Sequence, residues 1–347
     1  MKKPDYTIRE AQNEVNICGV LKEKNLKKGI KDGKSYIGGN LVIQVAPDSE
    51  IRTEAFAFET NASGSKSKIY AGLETVMAEY RSIADLMQSP HDMPEDVARA
   101  NATLVSTRCT ISMNDYYNDA GNLSSSIRYK ASFYNRVKSE EYNPCATFEV
   151  EAYVESIRKE FKEGEETGRI FMDTYIPIYG GAVIPVTFEA EDDTAEYISD
   201  NYTPQKTCHI WGDIISKAVR KIEKRSGFGK SIEKKKVSYR RALLITGGDE
   251  EQYETDNAKS YDPEIVRKAV AYRNDEYLPF LLEKSGGKKP QPTSAPKFQY
   301  DSDAMPKAPS IPAVDDGLPF DVDTPSANAT AASAANGKPA VDDVDFF

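Results

Sequence analysis

Histidine, cysteine and tryptophan are nearly absent: the 347 residues include two His, four Cys and one Trp. A structural zinc site takes about four ligands, usually with two of them close in sequence. Cys18, Cys109, Cys145 and Cys208 are far apart, and His91 and His209 complete no such set. No metal and no cofactor is expected, and the thiols read as reduced and mostly buried. Cys208 and His209 are neighbours, but on a strand they point to opposite faces and make a poor nucleophile–base pair. Long apolar runs are missing too. Nothing approaches the ~18 consecutive apolar residues of a membrane span. The opening Met1-Lys2-Lys3-Pro4-Asp5-Tyr6 turns polar at once, unlike a signal peptide. A cytoplasmic protein of a bacterium or phage-infected host is expected, with no membrane partner. Basic charge is also in deficit, with Lys+Arg 45 against Asp+Glu 55 and a net charge of −10. That excludes a surface coated throughout in phosphate-binding charge but leaves room for a local basic path.

Charge and composition are unevenly spread. Residues 285–347 hold nine of the nineteen prolines, few large apolar residues, and five Lys against nine Asp. Such a segment buries too little surface to offset its ordering entropy, so a disordered acidic tail is expected. Between Lys217 and Arg241, eleven basic residues face Glu223 and Glu233, a net of +9 in 25 residues. A second cluster, Lys22, Lys24, Lys27, Lys28, Lys31 and Lys34, is offset by Glu23 and Asp32. Either run could be a plain solvated face.

The apolar pattern is that of a mainly β protein. Val15, Ile17 and Leu21 alternate, and a polar loop over 22–35 carries an Asp32-Gly33 turn signal. Ile37, Leu41, Ile43 and Val45 mark a second strand, and residues 51–59 a third. Ile69, Leu73, Val76, Met77, Tyr80, Ile83, Ala84 and Met87 recur at helical spacing. Strands follow at 105–113 and 127–133. The order then repeats: strands begin near Phe148, Ile170 and Ile184, a short helix over 192–200 is capped by Asp193 or Thr194, and strands fall at 207–217 and 237–246. The Lys217–Arg241 run is expected to connect those last two. Asp262-Pro263-Glu264 opens a final helix over 262–283. Five strands with a helix between the third and fourth is the element order of an OB-fold barrel. The expectation is therefore two tandem OB folds (1–140 and 141–250), a helical extension (251–284) and the tail (285–347). That fold binds through strands two and three and the one–two and four–five loops, where the two basic clusters fall.

If the aliphatic set on each strand points inward, the alternate set points out. This places Tyr36, Arg128, Lys130, Tyr134 and Arg136 outward on the first domain, and Arg169, Phe171, Tyr175 and Tyr179 on the second. Aromatics alternating with Arg and Lys suit single-stranded nucleic acid, since each base offers a π-face and each nucleotide a phosphate. For Phe171 and Tyr175, stacking on bases and packing within the protein are both open. Phe56, Phe58 and Trp211 read as core. With the lysines Lys24, Lys27, Lys28, Lys31 and Lys34, the second run adds Lys221, Lys224, Arg225, Lys230, Lys234, Lys235, Lys236 and Arg240 to the candidate interface. Gly227-Phe228-Gly229-Lys230-Ser231 ends like a phosphate-binding loop, but Lys224 stands where its first glycine belongs. No spacing of carboxylates singles out an acid–base pair, and no enzyme is expected.

Within the tail stands Asp315-Asp316-Gly317-Leu318-Pro319-Phe320, and the sequence closes on Asp342-Asp343-Val344-Asp345-Phe346-Phe347. This organisation (OB region, proline-rich linker, acidic-aromatic tip) resembles the single-stranded DNA-binding proteins of bacteria and phages. In that family the tip closes in Leu-Pro-Phe or Ile-Pro-Phe; here Asp315–Phe320 is internal and Asp342–Phe347 lacks the Leu-Pro step. Two OB domains suggest a phage or mobile-element relative. The resemblance implies a single-stranded DNA partner, a role in DNA replication, recombination and repair, and a tail that docks partner enzymes through Asp315, Asp316, Leu318, Pro319, Phe320, Asp342, Asp343, Asp345, Phe346 and Phe347. RNA is equally admitted by the residues. The rival readings are a replisome scaffold or loader whose OB folds bind protein, and a nucleic-acid enzyme whose OB domains position substrate; the tail could also be a plain acidic solubiliser.

Overall fold

The computed structural model describes residues 4–284 apart from 62, 89, 119–120 and 226–231, and gives the backbone alone for 219–225 and 232–238. The tail, with both acidic-aromatic motifs, lies outside the described residues.

The strands are β1 (Asn13–Lys31), β2 (Lys34–Ala46), β3 (Ser49–Phe58), β4 (Leu104–Tyr117), β5 (Leu123–Ala131), the short β6 (Asn135–Arg136), β7 (Cys145–Lys162), β8 (Glu165–Pro177), β9 (Val183–Ala190), β10 (Thr207–Arg225) and β11 (Ile232–Gly248). The helices are α1 (Lys68–Glu79), α2 (Ile83–Met87), α3 (Glu95–Asn101), α4 (Asp192–Asn201), α5 (Pro263–Tyr272) and α6 (Leu278–Lys284). None is long and apolar enough to cross a membrane.

The protein is mainly β, and each set of five long strands closes on itself. In the first, β1 pairs with β2 and β4, β2 with β3, β4 with β5, and β3 with β5 in parallel at Thr53↔Tyr129. In the second, β7 pairs with β8 and β10, β8 with β9, β10 with β11, and β9 with β11 in parallel at Leu244↔Glu189. This is the barrel order the element pattern predicts. One antiparallel ladder, Asn13–Cys18 against Cys145–Val150, joins the barrels into a single sheet. One hydrophobic cluster runs through both, from Val15 and Leu41 to Phe148, Phe188 and Leu243.

The extension returns to the first barrel. Asp262 caps α5 by accepting from the Glu264 amide. Beyond it, the buried Arg273 guanidinium donates to both carboxylate oxygens of Asp115 on β4 at 2.7 Å. Val266 and Tyr261 join the common core.

Three expectations about elements need correction. The basic connections are strands rather than loops. β1 and β2 stay in register out to Lys31↔Lys34, closing on Asp32 and Gly33, whose φ values of 51° and 74° suit a tight hairpin turn. β10 and β11 likewise pair out to Arg225↔Ile232, and this arm meets the first barrel where the Ala218 amide donates to the Asp48 carbonyl at 2.9 Å. The helix expected over 69–87 breaks at Tyr80, because Ser82 starts α2 with a capping box to Asp85. Finally, α4 begins one residue before Asp193, with Glu191 as its cap position.

Candidate nucleic-acid interface

Strand alternation decides which basic side chains can act together. Along β1, Lys27 and Lys31 share a face with Gly29, while Lys24 and Lys28 point to the other side, toward the helices. The Lys24 ammonium donates to the Met77 and Tyr80 carbonyls at the end of α1, at 3.0 and 2.7 Å. Lys28 donates to Glu74 at 2.7 Å, and that hydrogen bond holds its pKa above the usual lysine range. Lys22 pairs with Glu50. Lys24 and Lys28 are thus paired within the chain, with α1 and its C-terminal turn. Lys27, Lys31 and Lys34 remain exposed, with no ion-pair partner among the described residues.

On the face those three lysines share lies an aromatic platform. The cross-strand rows read Gly29–Tyr36–Phe58 and Lys27–Gly38–Phe56 across β1, β2 and β3. A Cβ on Gly29 would sit 2.7 Å from the Tyr36 ring, and one on Gly38 would sit 2.9 Å from Phe56. The glycines thus let each ring lie flat over the neighbouring strand. Tyr36 and Phe56 stack at 5.2 Å and 29°, Phe58 meets Phe56 edge-on at 5.0 Å, and the Lys31 ammonium sits 6.0 Å above Phe56. Phe56 is 49 % exposed. The expectation that Phe56 and Phe58 are core is overturned: Ile51, Thr53, Ala55 and Ala57 hold the inward positions of β3.

Beyond Phe56 the face runs into an open groove of about 1250 Å³, lined among others by Asn16, Asn40, Arg108, Lys130 and Phe133. Lys130 is exposed. Arg128 is tied to Glu54 at 3.4 Å, and Arg136 to Glu79 at 3.0 Å while covering the Tyr80 ring. Tyr134, expected outward, is buried and shares a 2.9 Å hydrogen bond with Thr53, and burial pushes its phenol pKa strongly up. It follows β5 rather than lying on it, so the alternation does not reach it.

The corresponding face of the second barrel is closed by its own charges. Its centre is Asp173, buried and accepting from Arg158 Nε at 2.7 Å, Arg158 Nη2 and Ser156 at 3.0 Å, and Thr187 at 2.7 Å. Burial alone would raise this carboxyl, but the four hydrogen bonds more than offset it and hold the pKa below normal. Arg158 also covers the Phe171 ring at 5.4 Å. Arg169 and Arg240 both grip Glu191, at 2.7 and 2.5 Å, and Arg240 reaches Glu189 at 3.1 Å. Tyr175 packs against the core. Tyr179 is 87 % exposed, but in the turn after β8. Of the predicted residues here, Arg169, Phe171, Tyr175 and Arg240 serve the barrel itself. Those of the arm, Lys221, Lys224, Arg225, Lys230, Lys234, Lys235 and Lys236, have side chains outside the described residues.

Trp211, expected in the core, is 40 % exposed, because Cys208, Ile210 and Ile214 take the inward positions of β10. Cys208 is fully buried, and its thiol is pushed up to about 12 by burial, as is that of Cys109. His209 points the opposite way, between Glu149 and Asp249.

The YorF family profile matches residues 11–278, which takes in both barrels and most of the helical extension. The chain belongs to the YorF family. A search of curated proteins finds no match to this YorF chain. Among solved structures, it is similar to the wild-type single-stranded DNA-binding protein of Thermus aquaticus, with a TM-score of 0.42 and 10 % identity over 72 % of this chain and 97 % of that one. A deletion mutant of the same protein gives 0.41 and 9 % over 72 % and 99 %.

Proposed function

We propose that this YorF chain binds single-stranded nucleic acid without sequence specificity, through the β1–β2–β3 face of its first barrel. It acts by binding, with no catalytic step. The observation that carries the reading is the pair of rings Tyr36 and Phe56, laid flat on Gly29 and Gly38 and flanked by Lys27, Lys31 and Lys34. A base has a face to stack on, and its phosphates have three lysines that no carboxylate of the described chain neutralises. The groove past Phe56, with the exposed Lys130 and with Arg108, which pairs with Glu14 at 3.5 Å, continues the path. In a cell this activity serves DNA replication, recombination or repair. The acidic tail, with Phe320 and Phe347 in its two motifs, recruits partner proteins and competes with DNA for the basic face. Deleting residues 285–347 should then raise affinity, most at low salt.

The test is fluorescence anisotropy of a labelled ~30-mer, single-stranded and duplex, at two salt concentrations, which exceeds the ~4–16 nucleotides an OB barrel covers. Tight single-strand binding that weakens with salt, with duplex far behind, is expected. No binding at low salt would defeat the reading and favour a protein-binding scaffold.

A further inference from the structure

A second exposed aromatic lies on the other barrel in opposite electrostatic company. Trp211 pairs across the sheet with Gly247 on one side and Glu149 on the other. A Cβ on Gly247 would fall 2.5 Å from the indole Nε1, so this ring too lies flat over a glycine. Around it are Glu149, Asp213 and Asp249, all carboxylates with solvent access. His209 is set between Glu149 and Asp249 at 3.1 and 3.3 Å and lies edge-on to Trp211 at 5.7 Å.

A phosphate chain over this ring would run between three carboxylates. A guanidinium or ammonium would meet the opposite: a tryptophan face, the best of the aromatic cation binders, inside an acidic frame. We propose that the Trp211 surface docks a cationic segment of a partner protein, with a Lys or Arg over the indole. The proposal does not rest on the nucleic-acid reading, although the surface adjoins the groove of the first barrel, where Glu14 pairs with Glu149.

Trp211 is the sole tryptophan of the chain, so its emission reports on this site alone. The full chain is titrated with the hexapeptide Arg-Lys-Arg-Leu-Arg-Leu, with its Glu-for-Arg/Lys counterpart, and with thirty-residue oligo-dT. The basic peptide should change Trp211 emission saturably, and the acidic one should not. Oligo-dT should leave the emission unchanged. By anisotropy of labelled peptide, Trp211→Leu and Asp213→Asn should each weaken binding at least fivefold, with melting temperatures reported alongside. Asp213 is exposed, so its variant tests the charge frame even if the tryptophan variant folds poorly. The proposal is overturned if the basic peptide leaves emission unchanged, if Asp213→Asn binds it like the parent, or if oligo-dT alters Trp211 emission.

Discussion

Phe56 on β3 and Asp173 on β8 mark the strand-two and strand-three faces of the two barrels, and the difference between them decides what each face can do. Phe56 rests on Gly38 and offers its free side to solvent, so truncating it removes little of the core. Stacking is worth roughly 1–3 kcal/mol per base. Phe56→Ala should therefore weaken single-strand binding by about five- to 150-fold, with an unchanged far-UV spectrum as the control in the same titration. Asp173 is instead committed to the fold. Its folded pKa lies below the unfolded value, so its contribution is present above pH ~4 and is lost as pH falls through the lower folded value. Asp173→Asn should cost about 1.5–3 kcal/mol at pH 7, the worth of hydrogen bonds to a charged group. Urea melts at pH 7 and pH 3 should show the gap between parent and variant narrowing in acid.

At the scale of elements, the β1–β2 hairpin sorts its six lysines by parity, and only Lys27, Lys31 and Lys34 fall on the aromatic side. Replacing these three by Ala should lower the slope of log affinity against log salt by about 2, at ~0.7 per single-strand phosphate contact. A slope unchanged in that series would remove the hairpin from the interface. The strand and helix order was legible in the sequence because alternation over stretches such as Ile37–Val45 and Phe148–Val154 leaves little choice of period. Parity was harder. In residues 51–59 both the Ala and the Phe sets alternate, and bulk pointed to the wrong one; Ile51, fully buried, carried the correct parity. The cross-strand glycines that seat Tyr36, Phe56 and Trp211 are a register property, invisible until strands are paired. Arg169 and Arg240 read as phosphate contacts because their partners Glu189 and Glu191 lie on a different strand and its outgoing turn.

For the whole molecule, the ladder between β1 and β7, the shared core and the Arg273–Asp115 pair bind the two barrels and the extension together. Denaturation followed by Trp211 emission, which reports on the second barrel, should coincide with far-UV circular dichroism, which reports on both. Two separated transitions would show that the barrels melt independently. The unlike faces of the two barrels also give the molecule a direction. A strand lying on Tyr36 and Phe56 meets one barrel with stacking rings and lysines and another whose arginines are already engaged. Where the contacts at Tyr36 and Phe56 fix the polarity of the strand, bound chains would share one 5′-to-3′ orientation, each holding its Trp211 surface on the same side. Anything docked there would be handed to one end of the covered stretch and not to the other.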